Sequence, residues 1–583
     1  MKQSRMISLL LAAALLLCLF AGCAKDPAEA AASPVSTAED EPVPTEVLAT
    51  PEPEEIDGVP VRWQDGGKLS FLPHEPLTIP NLSDMDYERP ETETLIAEID
   101  ALTAKVPGCD DADALLNDYY DIAVRLSHLD TMTGLAMFRF DMDIYDSDAT
   151  EEYDYCDEQT TVVYEKMDAL YAAFAASPCR DALEQTYFGE GFFTKYDDFN
   201  VADEAFFDLK LQENDLIFRY YQRLQSVDFS SYYDIKQNHD DVGNLYIELV
   251  KVRREIAKAK GYETYTDYCY ANIYDRDYTT GQAREYLDLV KKYLAPLMEN
   301  RKIFEEYSKY SRWYETDAMQ MLGAAAEKMG GPILSGYRFL EGHRLYDISS
   351  ASKKSSIGYT SYLPDYESPF IFIDPSSKSV VTTLFHEFGH FVDAYHNFGL
   401  DSDLEIAETY SQAMQYLAFS YADPFTDEER ALNLRATLAN LLYLAVLREG
   451  AYADFELQVY ALDPEELTLD RLDAIYEQCM KEFGLGGFSG AEFTKIYWIA
   501  YGHFFDFPGY VISYSVSGIT ALEISRMEAE TPGAGTDAFI RFLRRTHGKG
   551  FSAVIEEAGL ENPFAEKTME KTAAFLKEAF GMN

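Results

Sequence analysis

The stretch LFHEFGHFVDAYH runs from Leu384 to His396 and holds three of the chain's nine histidines, with a glutamate directly after the first. His386-Glu387-Phe388-Gly389-His390 fits the pattern H-E-x-x-H. On an α-helix four steps bring a side chain back to within about 40° of its start, so both imidazoles share one face. Two such imidazoles can ligate one tetrahedral zinc ion. Glu387 then lies where it can take a proton from a metal-activated water. The preceding Val380-Val381-Thr382-Thr383-Leu384-Phe385 supplies an apolar face to bury that helix, and Ser379 fits its N-cap.

Two residues compete to be the third ligand. His396 completes the metzincin spacing H-E-x-x-H-x-x-G-x-x-H, but that spacing needs a glycine at the position occupied by Asp393. If the helix simply continues, His396 lies about 240° round from His390 and points away. No later Met-turn is evident, as Met414 falls in a helical pattern. The other candidate is Glu408, inside the helical run LEIAETYSQAMQYLAF of residues 404–419. A glutamate on a second helix is the gluzincin solution: two histidines, one glutamate and an open fourth position. Glu405 competes with it, but Ser402-x-x-Glu405 reads as a capping box, which gives Glu405 a structural task. Asp393, one turn beyond His390, is either a partner orienting an imidazole or a solvated acid on the helix surface.

Outward from this stretch the chain reads as mainly α. Ala112 to His128, Glu204 to Leu224 and Ala283 to Tyr307 carry apolar residues at three- and four-residue steps. Strand-like runs are few: Phe370–Ile373, between Pro369 and Asp374-Pro375, and Ile357 to Tyr362. A small antiparallel sheet beside the histidine helix is therefore expected, and no internal repeat is visible.

The N-terminus begins MKQSRMISLLLAAALLLCLFAGC. Lys2 and Arg5 precede an apolar run from Ile7 to Phe20 of signal-peptide length, ending in small residues before Cys23. This resembles a bacterial lipobox, with residues 1–22 removed and Cys23 lipidated; an ordinary cleaved signal is the alternative. Residues 23–56 are rich in proline, alanine and acids and read as a disordered spacer. Residues 57–583 have globular composition and form the folded body. The formal net charge of −52 argues against a nucleic-acid-binding surface, which needs clustered Lys and Arg. The acidity reads most simply as solubility, with a preference for basic peptides as the sharper alternative. Five widely spread cysteines follow Cys23 with no CxxC pair, which points to buried free thiols and away from cysteine-held zinc.

Five stretches, in order, resemble the thimet oligopeptidase and oligoendopeptidase F family of zinc metallopeptidases. Arg254-Glu255-Ile256-Ala257 and Gly261-Tyr262-Glu263-Thr264-Tyr265 are similar to its "EIAK..GY.SY" segment. Tyr346-Asp347, Gly358-Tyr359 and the Phe370–Ile373 run resemble the hairpin before the zinc helix. HEFGH is the family's common form, and Glu408-Thr409-Tyr410-Ser411-Gln412 resembles its "E-V-x-S" helix, whose glutamate is the third zinc ligand. His503 to Tyr514, followed by Gly518, resembles "HFY..FYVYQYATG", in which a histidine and tyrosines face the zinc and stabilise the oxyanion. The resemblance thus implies roles for His503, Tyr510 and Tyr514; by spacing alone they fit a plain aromatic core equally. It covers residues 250–527, and residues 60–250 match only in being helical. The sequence departs from the family in three ways: a short His390-to-Glu408 gap, Pro508-Gly509 inside the aromatic segment, and the lipoprotein leader.

The resemblance implies a large helical two-lobed body with a deep channel and one Zn2+ per chain. His386, His390 and Glu408 would hold the metal, with Glu387 as general base. The expected activity is endopeptidase cleavage of short peptides at the outer face of a bacterial membrane, where lipidated Cys23 anchors the chain. The Phe370–Ile373 strand is expected to bind the peptide backbone by strand addition. No obligate protein partner is evident. The alternatives are a helical H-E-x-x-H carboxypeptidase or dipeptidyl-type peptidase and, without catalysis, a peptide-binding lipoprotein.

Overall fold

The protein is described by a computed structural model covering residues 55–56, 59–60 and 79–582, apart from 190, 197–203, 225–226, 228–230, 300–314, 356, 376–379, 400–402, 424, 487–494 and 546–547. The leader, nearly all of the spacer, Ser379 and Ser402 lie outside the described residues. Glu55–Ile56, at the end of the spacer, pairs antiparallel with Val59–Pro60.

The helices that matter below are α1 (Glu93–Lys105), α2 (Ala112–Met142), α3 (Ser147–Ala175), α4 (Glu204–Leu224), α5 (Tyr232–Ala259) and α6 (Thr280–Tyr293). After a small sheet come α7 (Val380–His396), α8 (Leu404–Tyr421), α9 (Glu449–Ala461) and α10 (Ile512–Glu530). Local chemistry starts several of them. Asp111 caps α2 by accepting from the Ala114 N–H, and Asp146 caps α3 through the Asp148 and Ala149 N–H groups. Thr279 and Gln282 form a capping box at α6. The first expected helix runs further than its periodicity indicates, to Met142, because its second half is buried against the sheet. The third is shorter, ending at Tyr293, and its expected continuation reaches residues outside those described.

Burial separates into two apolar clusters. One lies among α1, α2, α3 and the aromatic residues up to Tyr196. The other takes in the rest of the body, from α4 to the C-terminus. Helix α2 joins them, with Leu115 to Leu129 in the first and Met132, Leu135 and Met137 in the second. Among the described residues no helix is long and apolar enough to cross a membrane. The five described cysteines are free, and four of them are buried.

The sheet has three strands, β1 (Tyr346–Asp347), β2 (Gly358–Leu363) and β3 (Ser368–Ile373), in the order β1-β3-β2. It is mixed, not antiparallel throughout: β1 runs parallel to β3, and β2 antiparallel. The two-residue β1 is too short to leave a periodic signal in the sequence. This order also corrects the strand-addition expectation. Ile371 and Phe372 of β3 are paired on both sides. Among the described residues β2 is an edge strand, so any added strand meets β2 and not Phe370–Ile373. Alternation does the rest. Phe370 and Phe372 meet Phe138 of α2, with ring centroids 5.7 and 6.1 Å away. Thr360, opposite Ile371, faces α7 on the other side.

Candidate metal centre

Helix α7 is continuous through His396, as expected without the glycine at Asp393. His386 and His390 lie one turn apart, ring centroids 5.1 Å from each other. Glu408 comes from α8. Its Oε2 lies 3.7 Å from His386 Nε2 and 3.9 Å from His390 Nε2. One ligand atom from each of the three falls within a 4.8 Å span. His390 Nε2 is buried and has no hydrogen-bond partner, a costly state for a polar atom unless something else fills the gap. Two imidazoles and a carboxylate converging on that gap fit a divalent metal ion of the zinc class.

Gly389 makes this convergence possible. A Cβ there would stand 2.4 Å from the Tyr410 carbonyl oxygen and 2.7 Å from the Ser411 Cα. Helices α7 and α8 therefore touch backbone to backbone at the middle of H-E-x-x-H. The short connection between them turns through Phe398 and Gly399, at φ of 56° and 64°. The Gly399 N–H closes α7 by donating to the Ala394 carbonyl over 2.9 Å.

Electrostatics follow from burial. Loss of water lowers the His386 imidazole to about 4 and pushes His390 well down, so both are neutral and able to ligate. Burial lifts Glu408 to about 7, against the pull of the Ser411 and Tyr510 hydroxyls. Burial raises Glu387 strongly too, opposed by its hydrogen bond from Thr360 and reinforced by Glu408. A bound cation acts in the opposite direction on both carboxyls. Thr360 Oγ1 lies 2.9 Å from Glu387 Oε2 and 2.9 Å from the Glu387 carbonyl oxygen, so β2 fixes this carboxylate. Ser411 Oγ donates to Glu408 Oε2 over 3.0 Å. The Gln415 side-chain amide lies 3.2 Å from His386 Nδ1. Its oxygen turned to an Nδ1–H would leave Nε2 free to bind metal.

The rejected ligand candidates have other partners. His396 is buried, and its Nε2 donates to the Pro332 carbonyl over 2.8 Å. Asp393 is neither a solvated acid nor seen on an imidazole. It is buried, pairs with Arg545 and accepts from Asn397 Nδ2 over 2.6 Å. Glu405 keeps a structural task, but not the expected capping box. No side-chain cap forms at Asp403, the observed N-cap. Instead Glu405 Oε1 accepts from Arg276 Nε, Tyr278 Oη and Ser513 Oγ over 2.9, 2.5 and 2.8 Å.

The aromatic wall gathers where the sequence places it. Tyr510 Oη donates to Glu408 Oε1 over 3.4 Å. The rings of Tyr510 and Tyr514 are 5.2 Å apart, and His503 lies 5.6 and 6.4 Å from them. His503 Nε2 and Tyr514 Oη are both buried without a partner. Burial, helped by Arg448, lowers His503 to about 3, so it is a neutral imidazole. The short helix His503–Asp506 is held from behind by Arg253, a neighbour of the recognised Arg254 that sequence reading passed over. Its guanidinium donates to the Phe504 carbonyl over 3.0 Å and to that of Phe505, and pairs with Glu213 over 2.8 Å. Thr360 and Gln415 were also missed. Gln415 lies seven residues after Glu408, on the same helix face, a signal that was available.

A family model described as "Peptidase family M3" matches residues 340–574, and one described as "Peptidase M3 N-terminal domain" matches residues 82–198. The second lies where the residue-level resemblance found only helices. Among solved structures the chain is similar to "PZ peptidase A with inhibitor 2", at 18% identity and a TM-score of 0.75, covering 86% of this chain and 99% of that one. It is also similar to a putative oligoendopeptidase F from Bacillus anthracis str. Ames, at 20% identity and a TM-score of 0.72, covering 87% and 99%. A further putative oligoendopeptidase F aligns at 21% identity and a TM-score of 0.71, covering 86% and 99%. At these identities the likeness shows the fold. No curated protein matches the sequence.

Proposed function

Because the chain belongs to peptidase family M3, we propose that it is a zinc-dependent endopeptidase that hydrolyses short peptides. The carrying observation is the convergence of His386, His390 and Glu408 on one point, with the Glu387 carboxylate fixed beside them by Thr360. Zinc held by those three residues would polarise the scissile carbonyl and acidify the attacking water. Glu387 takes the proton from that water and passes it to the leaving amine, which is general base and then general acid work. The Tyr510 and Tyr514 hydroxyls and the neutral His503 imidazole donate to the oxygen on which negative charge develops. A peptide backbone would lie along the open edge of β2, beside Thr360.

The same reading gives residues 1–22 as a lipoprotein signal, 23–56 as a spacer and 57–583 as the peptidase body. Cys23 would carry the lipid and hold the enzyme at the outer face of a bacterial membrane. Detergent-phase partitioning that is lost in Cys23→Ala supports this anchor; unchanged partitioning removes it.

The activity is tested by incubating residues 57–583 with a mixed peptide library and reading the products by mass spectrometry. Internal cuts abolished by a chelator and by Glu387→Gln are expected. Release of single C-terminal residues would replace the endopeptidase with a carboxypeptidase. Binding without any cut would leave a peptide-binding protein.

A further inference from the structure

Just N-terminal to Glu408 on α8, a single guanidinium touches three of the elements that build the metal centre. The Arg276 side chain is fully buried and pairs through Nε with Glu405 Oε1 over 2.9 Å. Its Nη1 donates to the Gly509 carbonyl over 2.7 Å. Its Nη2 donates to the Tyr510 carbonyl over 3.3 Å and to Ser513 Oγ over 2.6 Å. Glu405 belongs to α8, Gly509 and Tyr510 to the turn that presents Tyr510, and Ser513 to the first turn of α10, next to Tyr514. The Tyr270 and Tyr274 rings lie 4.4 and 4.6 Å from the guanidinium carbon and shield it from water. Tyr274 also donates to the Pro508 carbonyl over 3.1 Å. From the other side Glu456 of α9 accepts the Gly509 N–H over 3.0 Å. The chain reaches this position through Asp275, a non-glycine residue at φ 48°. Such a left-handed conformation is disfavoured and persists where surrounding contacts impose it.

A buried ion pair is a poor source of stability, since desolvation offsets most of the attraction. A guanidinium does supply a rigid planar fork that holds several acceptors at fixed spacing, which a lysine cannot do. Here the acceptors are the backbone of the Tyr510 turn and the helix that carries Glu408. Glu405 and Glu408 are three residues apart on one rigid helix, so fixing the turn to Glu405 fixes it to Glu408.

We propose that Arg276 is a positioning residue: by binding Glu405, Gly509, Tyr510 and Ser513 together, it sets the place of the Tyr510 and Tyr514 hydroxyls relative to the metal position. This rests on the peptidase reading above. It also explains how the Pro508-Gly509 interruption leaves Tyr510 in register: Gly509, at φ 76°, turns two carbonyls toward one cation.

The test compares wild type, R276M/E405M and R276K, each with and without Tyr510→Phe. R276M/E405M removes both charges, so neither is left buried alone. Each variant is expected to bind one Co2+ per chain, with KM within about threefold of wild type and kcat lower by about 30-fold or more. Tyr510→Phe should lower kcat strongly in wild type and by less than about threefold in either Arg276 background, since the two changes disturb one arrangement. Should R276M/E405M fail to fold, R276K is judged by the same criteria. A kcat within about threefold of wild type, or an undiminished Tyr510→Phe effect, overturns the proposal. The visible absorption of the Co2+-loaded protein gives a readout independent of turnover. Tyr510 donates to Glu408, so the bands should shift in the Arg276 variants as they do in Tyr510→Phe. An unchanged spectrum overturns the role of Arg276 even if wild type cleaves nothing, an outcome that by itself would sink only the peptidase reading.

Discussion

Gly389→Ala should separate the stability of this fold from its ability to hold metal. The added Cβ would meet the Tyr410 carbonyl oxygen at 2.4 Å and the Ser411 Cα at 2.7 Å. Both are backbone atoms, so no side chain can swing aside. Ordinary contact near about 3.5 Å requires α7 and α8 to part there by about 1 Å. Overpacking of this kind costs about 1–3 kcal/mol. Alanine in place of a helical glycine returns about 1 kcal/mol. The metal-free fold therefore loses at most about 2 kcal/mol, a fall of a few degrees in melting temperature for a chain this long. The metal site suffers more. Coordination distances tolerate only about 0.2 Å, and Glu408 departs with α8 while both histidines stay on α7. Zinc affinity should drop by at least about 100-fold, more than removal of a supporting residue costs. Chelator competition measures the affinity, and calorimetry with and without zinc measures the stability. A variant that binds zinc within about threefold of wild type would refute the claim that backbone contact at Gly389 sets the ligand geometry.

Other substitutions probe single roles. Glu387→Gln should lower kcat by about 10³-fold or more while zinc stoichiometry, read by mass spectrometry of the native protein, stays at one. Loss of the zinc would show that Glu387 ligates. Glu408→Ala should abolish tight zinc binding, whereas His396→Ala keeps it and loses about 1–3 kcal/mol with its bond to Pro332; the reverse pattern would hand the third ligand to His396. Burial pushes the Glu456 carboxyl up from 4.5 to about 8, against the pull of the Gly509 N–H. The fold thus binds this proton more tightly than the unfolded chain does, and the resulting stability is complete below about pH 4.5 and lost as pH rises to about 8. Glu456→Gln removes that dependence, so its melting temperature should gain on wild type between pH 5 and 8. Parallel profiles would show that the group does not titrate in this window.

What could be read from the sequence was governed by local spacing. His386 and His390 are four residues apart on one helix, so their common face needs only helical periodicity. The course of α7 past Asp393 follows from the same rule, and with it the separation of His396 from the centre. The preference for Glu408 over Glu405 matches the geometry, but the capping argument for Glu405 does not. Glu405 is held by Arg276, 129 residues upstream, and no local pattern announces such a contact. Thr360, Arg253 and Arg276 share this obscurity, because each acts on residues distant in the chain. The parallel pairing of Tyr346–Asp347 escaped for a different reason: two residues carry no period. Gly389 was visible as part of HEFGH, but its closeness to Tyr410 is a property of two packed helices and not of either alone.

The account stands on three side chains meeting at one metal ion. Crystals of the zinc-loaded protein, with diffraction collected on both sides of the zinc absorption edge, address this most directly. One strong anomalous peak is predicted, about 2.0–2.2 Å from His386 Nε2, His390 Nε2 and a Glu408 carboxylate oxygen. A peak that includes His396, or one that leaves Glu408 unengaged, would contradict it.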